Sequence, residues 1–143
     1  MIDIGSKIVD TVYNAVKATN AYPDADVTTG YDEKTATFPC VVIRETNNTP
    51  YRPSSTDDCS ENHAAITYEI SVYTDNVNNA KTTGRDILQI VDAALQGLKG
   101  RRLRINQPLN INRTIFRQYG LWEFLVSKPM TVGNNTVYQM YRR

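Results

Sequence analysis

The sequence predicts an α+β fold, with a mainly antiparallel sheet and two helices packed on one face in a single domain. Segments with helical and strand periodicity follow one another in the order helix, strands, helix, strands. The links between most strand segments are short, which favours antiparallel pairing. The length of 143 residues fits one domain over residues 1–143, and a chain of this length can bury a core without disulfides.

Two segments have the apolar spacing of amphipathic helices. The first runs from Gly5 to about Thr19, with Ser6 as its predicted N-cap. The second begins at a cap, Asp75 or Asn76, and ends at Gly100, which is predicted to take the left-handed conformation. The apolar stripe of the second helix is Ala80, Gly84, Ile87, Leu88, Val91, Ala94, Leu95 and Leu98.

The first half of the chain carries two strand patterns. Ala64 to Asn76 alternates cleanly and places Ile66, Tyr68, Ile70 and Val72 on the face expected to lie under the second helix. Phe38 to Glu45 has a continuously apolar centre, which indicates a strand covered on both faces. Thr46 to Asn62 is polar and aperiodic, so it predicts a long loop that joins these strands as a hairpin.

The second half is predicted to be β-rich. Leu103 to Ile105 forms a short strand, Leu109 to Tyr119 alternates loosely, and "LWEFLV" reads as a separate strand. Gly133-Asn134-Asn135 is a turn signal before a terminal strand from Thr136 to Tyr141. The segment that follows the first helix, "NAYPDADVTTGYDEKTAT" from Asn20 to Thr37, is predicted to be a loop, with room for one short strand.

Composition bounds the function classes. The net charge of +1 provides no bulk attraction to nucleic acid or membrane. No stretch approaches the roughly 20 apolar residues of a membrane span, and the start of the chain does not have the pattern of a signal peptide. Cys40 and Cys59 are therefore expected to be free thiols of a cytoplasmic protein.

The residue types that carry chemistry do not form a recognisable motif. Asp57, Asp58, Cys59, Glu61 and His63 lie close together, but structural zinc sites need paired Cys and His at set spacings. The single histidine limits triad schemes, and no glycine-rich phosphate loop follows a strand. We therefore expect no catalytic residue, no cofactor and no metal site.

One cluster of basic residues and the tyrosine content point to a binding surface. The cluster comprises Lys99, Arg101, Arg102 and Arg104, with Arg142 and Arg143 at the end of the chain. The simpler interpretation is a solvated surface that complements the helix dipole. The alternative is a positive patch that meets phosphate or an acidic partner. Nine tyrosines favour an interface only weakly, because tyrosine is also common in strands.

The order of these phrases resembles the tail terminator (tail completion, or minor tail) proteins of long-tailed bacteriophages. A leading helix precedes "FPCVVIRE" and a long polar connection; "ITYEISVYTDN" then runs into "AKTTGRDILQIVDAALQGL", and "RTIFRQYG" follows. The resemblance covers about Ile4 to Leu125. It implies a non-enzymatic virion protein at the head-proximal end of the tail, assembled in the host cytoplasm as a ring that is typically a hexamer.

The resemblance also implies partners. The ring would cap the tail tube protein, end tail polymerisation and present a surface to a head–tail connector or neck protein. Tyr51, Arg52, Asp57 and Asp58 in the long loop would contact a neighbouring subunit or the tube. The basic cluster would line the lumen, where DNA passes without sequence-specific contacts, or pair with acidic residues of a partner.

Three alternatives remain open at the level of sequence. The chain could be a head–tail connector or neck protein of the same virion. It could instead be a small ligand-binding or enzymatic domain, which would need a concave site with converging polar groups. A nucleic-acid-binding module based on the arginine cluster is the third, and the near-neutral net charge speaks against it.

Overall fold

The computed structural model describes residues 1–30, 37–52, 62–75, 80–106 and 115–141. This part of the chain has an α+β fold, as predicted. Its elements, in order, are α1 (Gly5–Ala18), β1 (Asp26–Thr28), β2 (Cys40–Pro50), β3 (His63–Thr74), α2 (Ala80–Gly97), β4 (Arg101–Asn106), β5 (Phe116–Ser127), β6 (Met130–Val132), β7 (Asn135–Val137) and β8 (Met140–Tyr141).

The main sheet has the strand order β1-β2-β3-β5-β4, and β8 also pairs with β5. Only the β1–β2 pair is parallel among the described strands, so the prediction of a mainly antiparallel sheet is confirmed. The central strands β3 and β5 pair along their whole length, with Ile70 opposite Gly120. β6 and β7 form a separate two-stranded hairpin.

The core lies where α2 packs against β3 and β5. The predicted faces are confirmed: Ile66, Tyr68, Ile70 and Val72 are all buried. The predicted helix stripe is buried too, except that Ala94 and Leu98 are half-buried. α1 packs on α2 and adds its own buried residues to the same cluster. Each fully buried aliphatic side chain contributes about 1.5–3 kcal/mol, so this cluster is the main source of stability.

The start of α1 differs from its prediction. Ile4, not Ser6, holds the N-cap position, and no side chain caps the helix from there. The Asp3 carboxylate instead accepts a hydrogen bond from the backbone N–H of Gly5, at 2.8 Å. Two residues were predicted as the cap of the second helix. Asp75 is described and exposed, whereas Asn76 lies outside the described residues, as do residues 77–79.

The end of α2 also corrects the prediction for Gly100. Lys99, with φ of +64°, is the residue in the left-handed conformation. The N–H of Gly100 donates to the carbonyl of Leu95, and that of Lys99 to the carbonyl of Gln96, which together make a Schellman motif. Glycine is required at position 100 for a different reason: a Cβ there would lie 2.7 Å from the Phe124 ring.

The observed strand boundaries differ from the predicted ones where the sequence lacks alternation. β2 continues to Pro50 through a bulge between Glu45 and Asn47, so the first residues of the predicted Thr46–Asn62 loop belong to a strand. β5 is one strand through Gly120, whereas two were predicted. The short strand expected after the first helix is β1. The strand predicted from Leu109 falls mostly on residues 107–114, outside the described residues.

The terminal strand predicted from Thr136 to Tyr141 is divided between β7 and β8. The turn before it is present: β6 and β7 pair with Val132 opposite Asn135, which leaves Gly133 and Asn134 as the connection. Gly133 has φ of +62°, and a positive φ at the first central position of a two-residue turn is typical of type II′ hairpins.

Candidate assembly surface

β3 and β5 have a second face, which we call the outer face, formed by the residues that alternate with the buried ones. Its side chains on the two strands are Ala65, Thr67, Glu69, Ser71, Tyr73, Arg117, Tyr119, Leu121, Glu123 and Leu125. Apart from Ser71, which is buried, these residues are half-buried. Arginine and tyrosine on a partly apolar surface are the residue types enriched where proteins contact each other.

Arg117 lies at the centre of a cluster on the outer face. Its guanidinium donates to the Glu69 carboxylate at 2.9 Å and to the Ser71 hydroxyl at 3.2 Å. The same group lies 4.6 Å from the ring centroid of Tyr119 and 6.0 Å from that of Tyr73. A guanidinium held by two hydrogen-bond acceptors and two aromatic rings has lost most of its rotamer freedom. Binding to it therefore costs little further side-chain entropy.

Arg44 brings a second guanidinium to the same carboxylate. Its Nη2 lies 3.3 Å from Oε1 of Glu69, the oxygen that Arg117 also contacts. The Arg44 side chain is 65% exposed, against 26% for Arg117. Together with Val42 they border a depression of about 290 Å³. Because two cations share one carboxylate, the depression has a net positive charge and suits an acidic group of a partner.

The predicted basic cluster is divided by the structure into paired and unpaired cations. Arg101 contacts Glu123 at 3.3 Å, and Arg102 contacts Asp92 at 2.8 Å. Lys99 and Arg104 are exposed and make no ion pair with the described residues. The positive patch at the end of α2 is therefore smaller than the sequence indicates. Arg142 and Arg143 lie outside the described residues.

Asp92 connects three elements around the buried tryptophan. Its Oδ1 accepts a hydrogen bond from the indole Nε1 of Trp122 at 2.9 Å, and its Oδ2 accepts one from Arg102 at 2.8 Å. α2, β5 and β4 are thus tied by one carboxylate. Arg102 consequently has a structural role, which the sequence does not reveal, because the three residues are far apart in the chain.

The loop residues predicted to contact a partner are only partly described. Tyr51 is half-buried, and its backbone N–H donates to the carbonyl of His63 at 2.8 Å, which continues the β2–β3 pairing. Arg52 is exposed. Asp57 and Asp58 lie outside the described residues. Tyr51 and Arg52 therefore lie at the end of the β2–β3 pair where Pro50 is opposite Ala64. The Arg117 cluster lies towards the other end of the same strands, where Tyr73 is opposite Arg117.

The outer-face cluster was missed as a site by sequence reasoning. The alternation of β3 does place Glu69, Ser71 and Tyr73 on one face, and this part of the cluster can be predicted from the sequence. The partner, Arg117, becomes visible only through the β3–β5 register, in which it lies directly opposite Tyr73. His63, which belongs to no catalytic or metal motif in the sequence, is the half-buried first residue of β3, and its ring packs edge-on against Tyr141.

A second depression bears on the enzymatic alternative. Glu45 and Tyr68 line it together with residues of α1, and its volume is about 480 Å³. The Tyr68 hydroxyl donates to Glu45 at 3.0 Å. Burial and the nearby Glu45 carboxylate raise the pKa of Tyr68 above its usual value. The phenol therefore keeps its proton at neutral pH and is unsuited to act as a base.

Comparison with family models and with curated proteins identifies no relative. No protein-family model matches the chain, and no curated protein matches it. In the part of the chain that the structure describes, no group of His, Cys, Asp and Glu is arranged to hold a metal ion. None of the described helices is long and apolar enough to cross a membrane. Cys40 is a free, buried thiol.

Proposed function

We propose that this chain is a structural virion protein that caps a phage tail tube as a ring, ends tail polymerisation and forms the surface that joins the head. The observation that carries the proposal is the outer face, with its ordered Arg117 cluster. We further propose that both helices cover the opposite, buried face of the sheet. The outer face is then available to neighbouring subunits, to the tube or to the connector.

The cluster has the physical properties of an anchor for a protein contact. Arg117 is held in one position by Glu69, Ser71 and two tyrosine rings. Preordered arginine and tyrosine side chains are enriched among the residues that carry most of the binding free energy at interfaces. A specific ring contact needs about 800 Å² from each partner, so the cluster would be the centre of a larger surface that includes half-buried Leu121 and Leu125.

Capping follows from geometry and needs no catalysis. A closed ring repeats one head-to-tail contact until the rotation closes. If one rim of the ring matches the end of the tube and the other rim does not match a further tube subunit, polymerisation stops there. The second rim is then the surface that a connector or neck protein recognises. This account also fits the order of elements on which the family resemblance rests.

The unpaired cations give a sharper version of the lumen hypothesis. Lys99 and Arg104 are the cluster members without an ion pair among the described residues, so they are the ones able to meet phosphate or acidic partner groups. Reversing the charge of Arg101 or Arg102 would also break the contact with Glu123 or Asp92. A loss of binding in such a variant could not be distinguished from a loss of stability.

The test combines assembly and tube binding. Mass photometry over a concentration series, with negative-stain images, should show a closed ring of the purified chain alone or after addition of tail tubes built from the tube protein of the same virus. Arg117→Glu should weaken assembly or tube binding by at least about tenfold, because it places a carboxylate beside Glu69. Since this change also breaks the contact of Arg117 with Glu69, the fluorescence of Trp122 is used to check that the variant is folded. Arg85→Glu, the same change on an exposed position of α2, is the control.

A chain that stays monomeric at every concentration and does not bind tubes would refute the proposal. Binding to portal-containing heads but not to tubes would favour the connector alternative, which has the same general size. A shift in melting temperature with a small-molecule library, combined with no self-assembly, would instead favour the ligand-binding alternative. The three proposals are thus distinguished by whether the wild-type chain binds tail tubes, portal-containing heads or a small molecule.

A further inference from the structure

The β6–β7 hairpin is amphipathic, yet its apolar face is exposed. In the observed register Met130 lies opposite Val137 and Val132 opposite Asn135, so these four side chains share one face of the hairpin. Thr131 and Thr136 lie opposite each other on the other face. Met130, Val132 and Val137 are 44%, 61% and 40% exposed.

Such a hairpin is poorly explained as an isolated surface feature. Two-stranded hairpins are marginally stable in water unless one face is covered. All residues of β6 and β7 are exposed, so the described part of the chain does not cover this hairpin. The pattern is that of a strand pair with one face suited to burial, and exposed apolar faces of this kind mark contacts with another molecule.

The hairpin borders a depression that contains an unpaired acid. Val137 and Thr136 line one side of it, and α1 lines the other with Asp10 and Lys7. The volume of this depression is about 660 Å³. Asp10 is exposed and makes no ion pair with the described residues. Val137 is the residue of the apolar hairpin face that lines the depression. Its position across from a carboxylate fits a ligand that carries an apolar side chain next to a cation.

The same chain presents that combination on β4. A bulge between Arg102 and Arg104 leaves Leu103 42% exposed on this edge strand. Arg104 follows it, also exposed and without an ion pair among the described residues. β4 lies at the end of the strand order β1-β2-β3-β5-β4, so the leucine and the arginine stand at an edge of the main sheet.

We propose that the depression between the β6–β7 hairpin and α1 receives the Leu103–Arg104 edge of a second copy of this chain. Leu103 of the second copy packs on Val137 in the depression and on Val132 of the same hairpin face, and the Arg104 guanidinium pairs with the Asp10 carboxylate. The contact joins two different surfaces, so it is head-to-tail and can close into a ring. This inference rests on the proposed function in that it names the contact between ring subunits.

Charge and surface chemistry favour a second copy over other occupants. The hairpin face has no cation, which makes nucleic acid a poor partner for it. The exposed apolar residues of the two surfaces are too few to form a standard interface alone. They therefore mark the anchor points of a larger contact, with the remaining area supplied by the outer face and by α1. Asp10 and Arg104, neither of which makes an ion pair within the described part of the chain, complement each other in sign.

A charge swap tests the proposed pair. Arg104→Glu and Asp10→Arg should each weaken self-association by at least about tenfold, because each places like charges at a contact. The double variant, with both changes in one chain, should recover most of the affinity. Arg85→Glu and Asp24→Arg, which are the same changes at other exposed positions, should have no effect. Mass photometry over a concentration series measures all five variants.

The apolar half of the contact has an internal control. Val132→Asp should abolish association, whereas Thr131→Asp, on the opposite face of the same hairpin, should leave it unchanged. A mixture of Val132→Asp with Arg104→Glu should form heterodimers and nothing larger, because each variant keeps one intact end of a head-to-tail contact. The fluorescence of Trp122 checks that each variant is folded.

The outcomes separate this inference from the proposed function. If the wild-type chain forms rings, but the swap does not restore association and both hairpin variants behave alike, the contact is wrong and the ring proposal stands. If the wild-type chain never associates, with or without tail tubes, both fail. Recovery in the double variant together with the contrast between Val132→Asp and Thr131→Asp supports the contact.

Discussion

Gly120 should be intolerant of even one added methyl group. It lies in the middle of β5, and the indole ring of Trp122 covers its Cα. A Cβ at Gly120 would lie 2.4 Å from Cη2 and 2.6 Å from Cζ3 of that ring. Carbon atoms pack at about 3.5–4.0 Å, so in Gly120→Ala the indole has to move by roughly 1 Å or more.

The cost follows from how tightly the indole is held. Trp122 has no exposed surface, and its Nε1 donates to Asp92 at 2.9 Å. Overpacking of this kind costs about 1–3 kcal/mol, and a weakened buried hydrogen bond adds about 1 kcal/mol. The lower backbone entropy of alanine in the unfolded chain offsets about 0.4–1 kcal/mol. We expect Gly120→Ala to lower the free energy of unfolding by about 1–3 kcal/mol.

Urea unfolding followed by fluorescence measures this directly, because Trp122 is the only tryptophan. Gly97→Ala is the matched control: no atom lies within 4 Å of a Cβ built at Gly97. Gly97 ends α2, so this change should raise stability by about 0.4–1 kcal/mol. The two substitutions are chemically identical and should have opposite signs. A Gly120→Ala protein as stable as wild type, with the same m-value, would refute the packing argument.

Three other substitutions test separate contacts. Lys99→Gly should raise the free energy of unfolding by a few tenths to about 1 kcal/mol in urea unfolding, because Lys99 holds a positive φ that glycine adopts without strain. Asp92→Ala should lower it by about 1–3 kcal/mol, since the indole N–H of Trp122 loses its acceptor and Arg102 its partner; the emission of Trp122 should change as well. Burial raises the pKa of the Cys40 thiol from 9.0 to about 11. The unfolded thiol therefore ionises at lower pH than the native one, so Cys40 should lower the free energy of unfolding between about pH 9 and 11. Cys40→Ala should remove this contribution and leave the fall that begins near pH 10 from Tyr68, whose pKa is also raised by burial.

The core could be predicted because an element with one buried face has apolar residues at the spacing of that element. β3 alternates because one of its faces lies under a helix, and the stripe of α2 repeats because one side of it faces the sheet. The end of β2 has no such pattern. Beyond Glu45 it is held by backbone pairing to β3, and the β1 pairing reaches only to Val42, so its side chains carry no periodic signal.

Two glycines show why local rules failed. Gly120 lies between the two strands that the sequence predicted, but the Trp122 ring fills the space that a side chain would occupy, and β5 passes through unbroken. Gly100 suggested a left-handed residue, yet that conformation belongs to Lys99. Gly100 is needed because the Phe124 ring and the carbonyl of Leu95 leave no room for a Cβ. Both reasons are tertiary contacts, which lie beyond the reach of a rule about neighbouring residues.

Strand register also decides which charges can meet a partner. Without the bulge in β4, Leu103 would lie opposite Leu121 and Arg104 opposite Gly120. With it, Arg104 takes the place opposite Leu121, and Leu103 is left out of the pairing and exposed. Arg101 keeps Glu123 as its cross-strand neighbour and is paired. One inserted residue in an edge strand therefore produces an exposed leucine beside an arginine that makes no ion pair with the described residues. Edge bulges normally protect a sheet from unwanted pairing, and this one also creates a side-chain pattern that a specific neighbour can recognise.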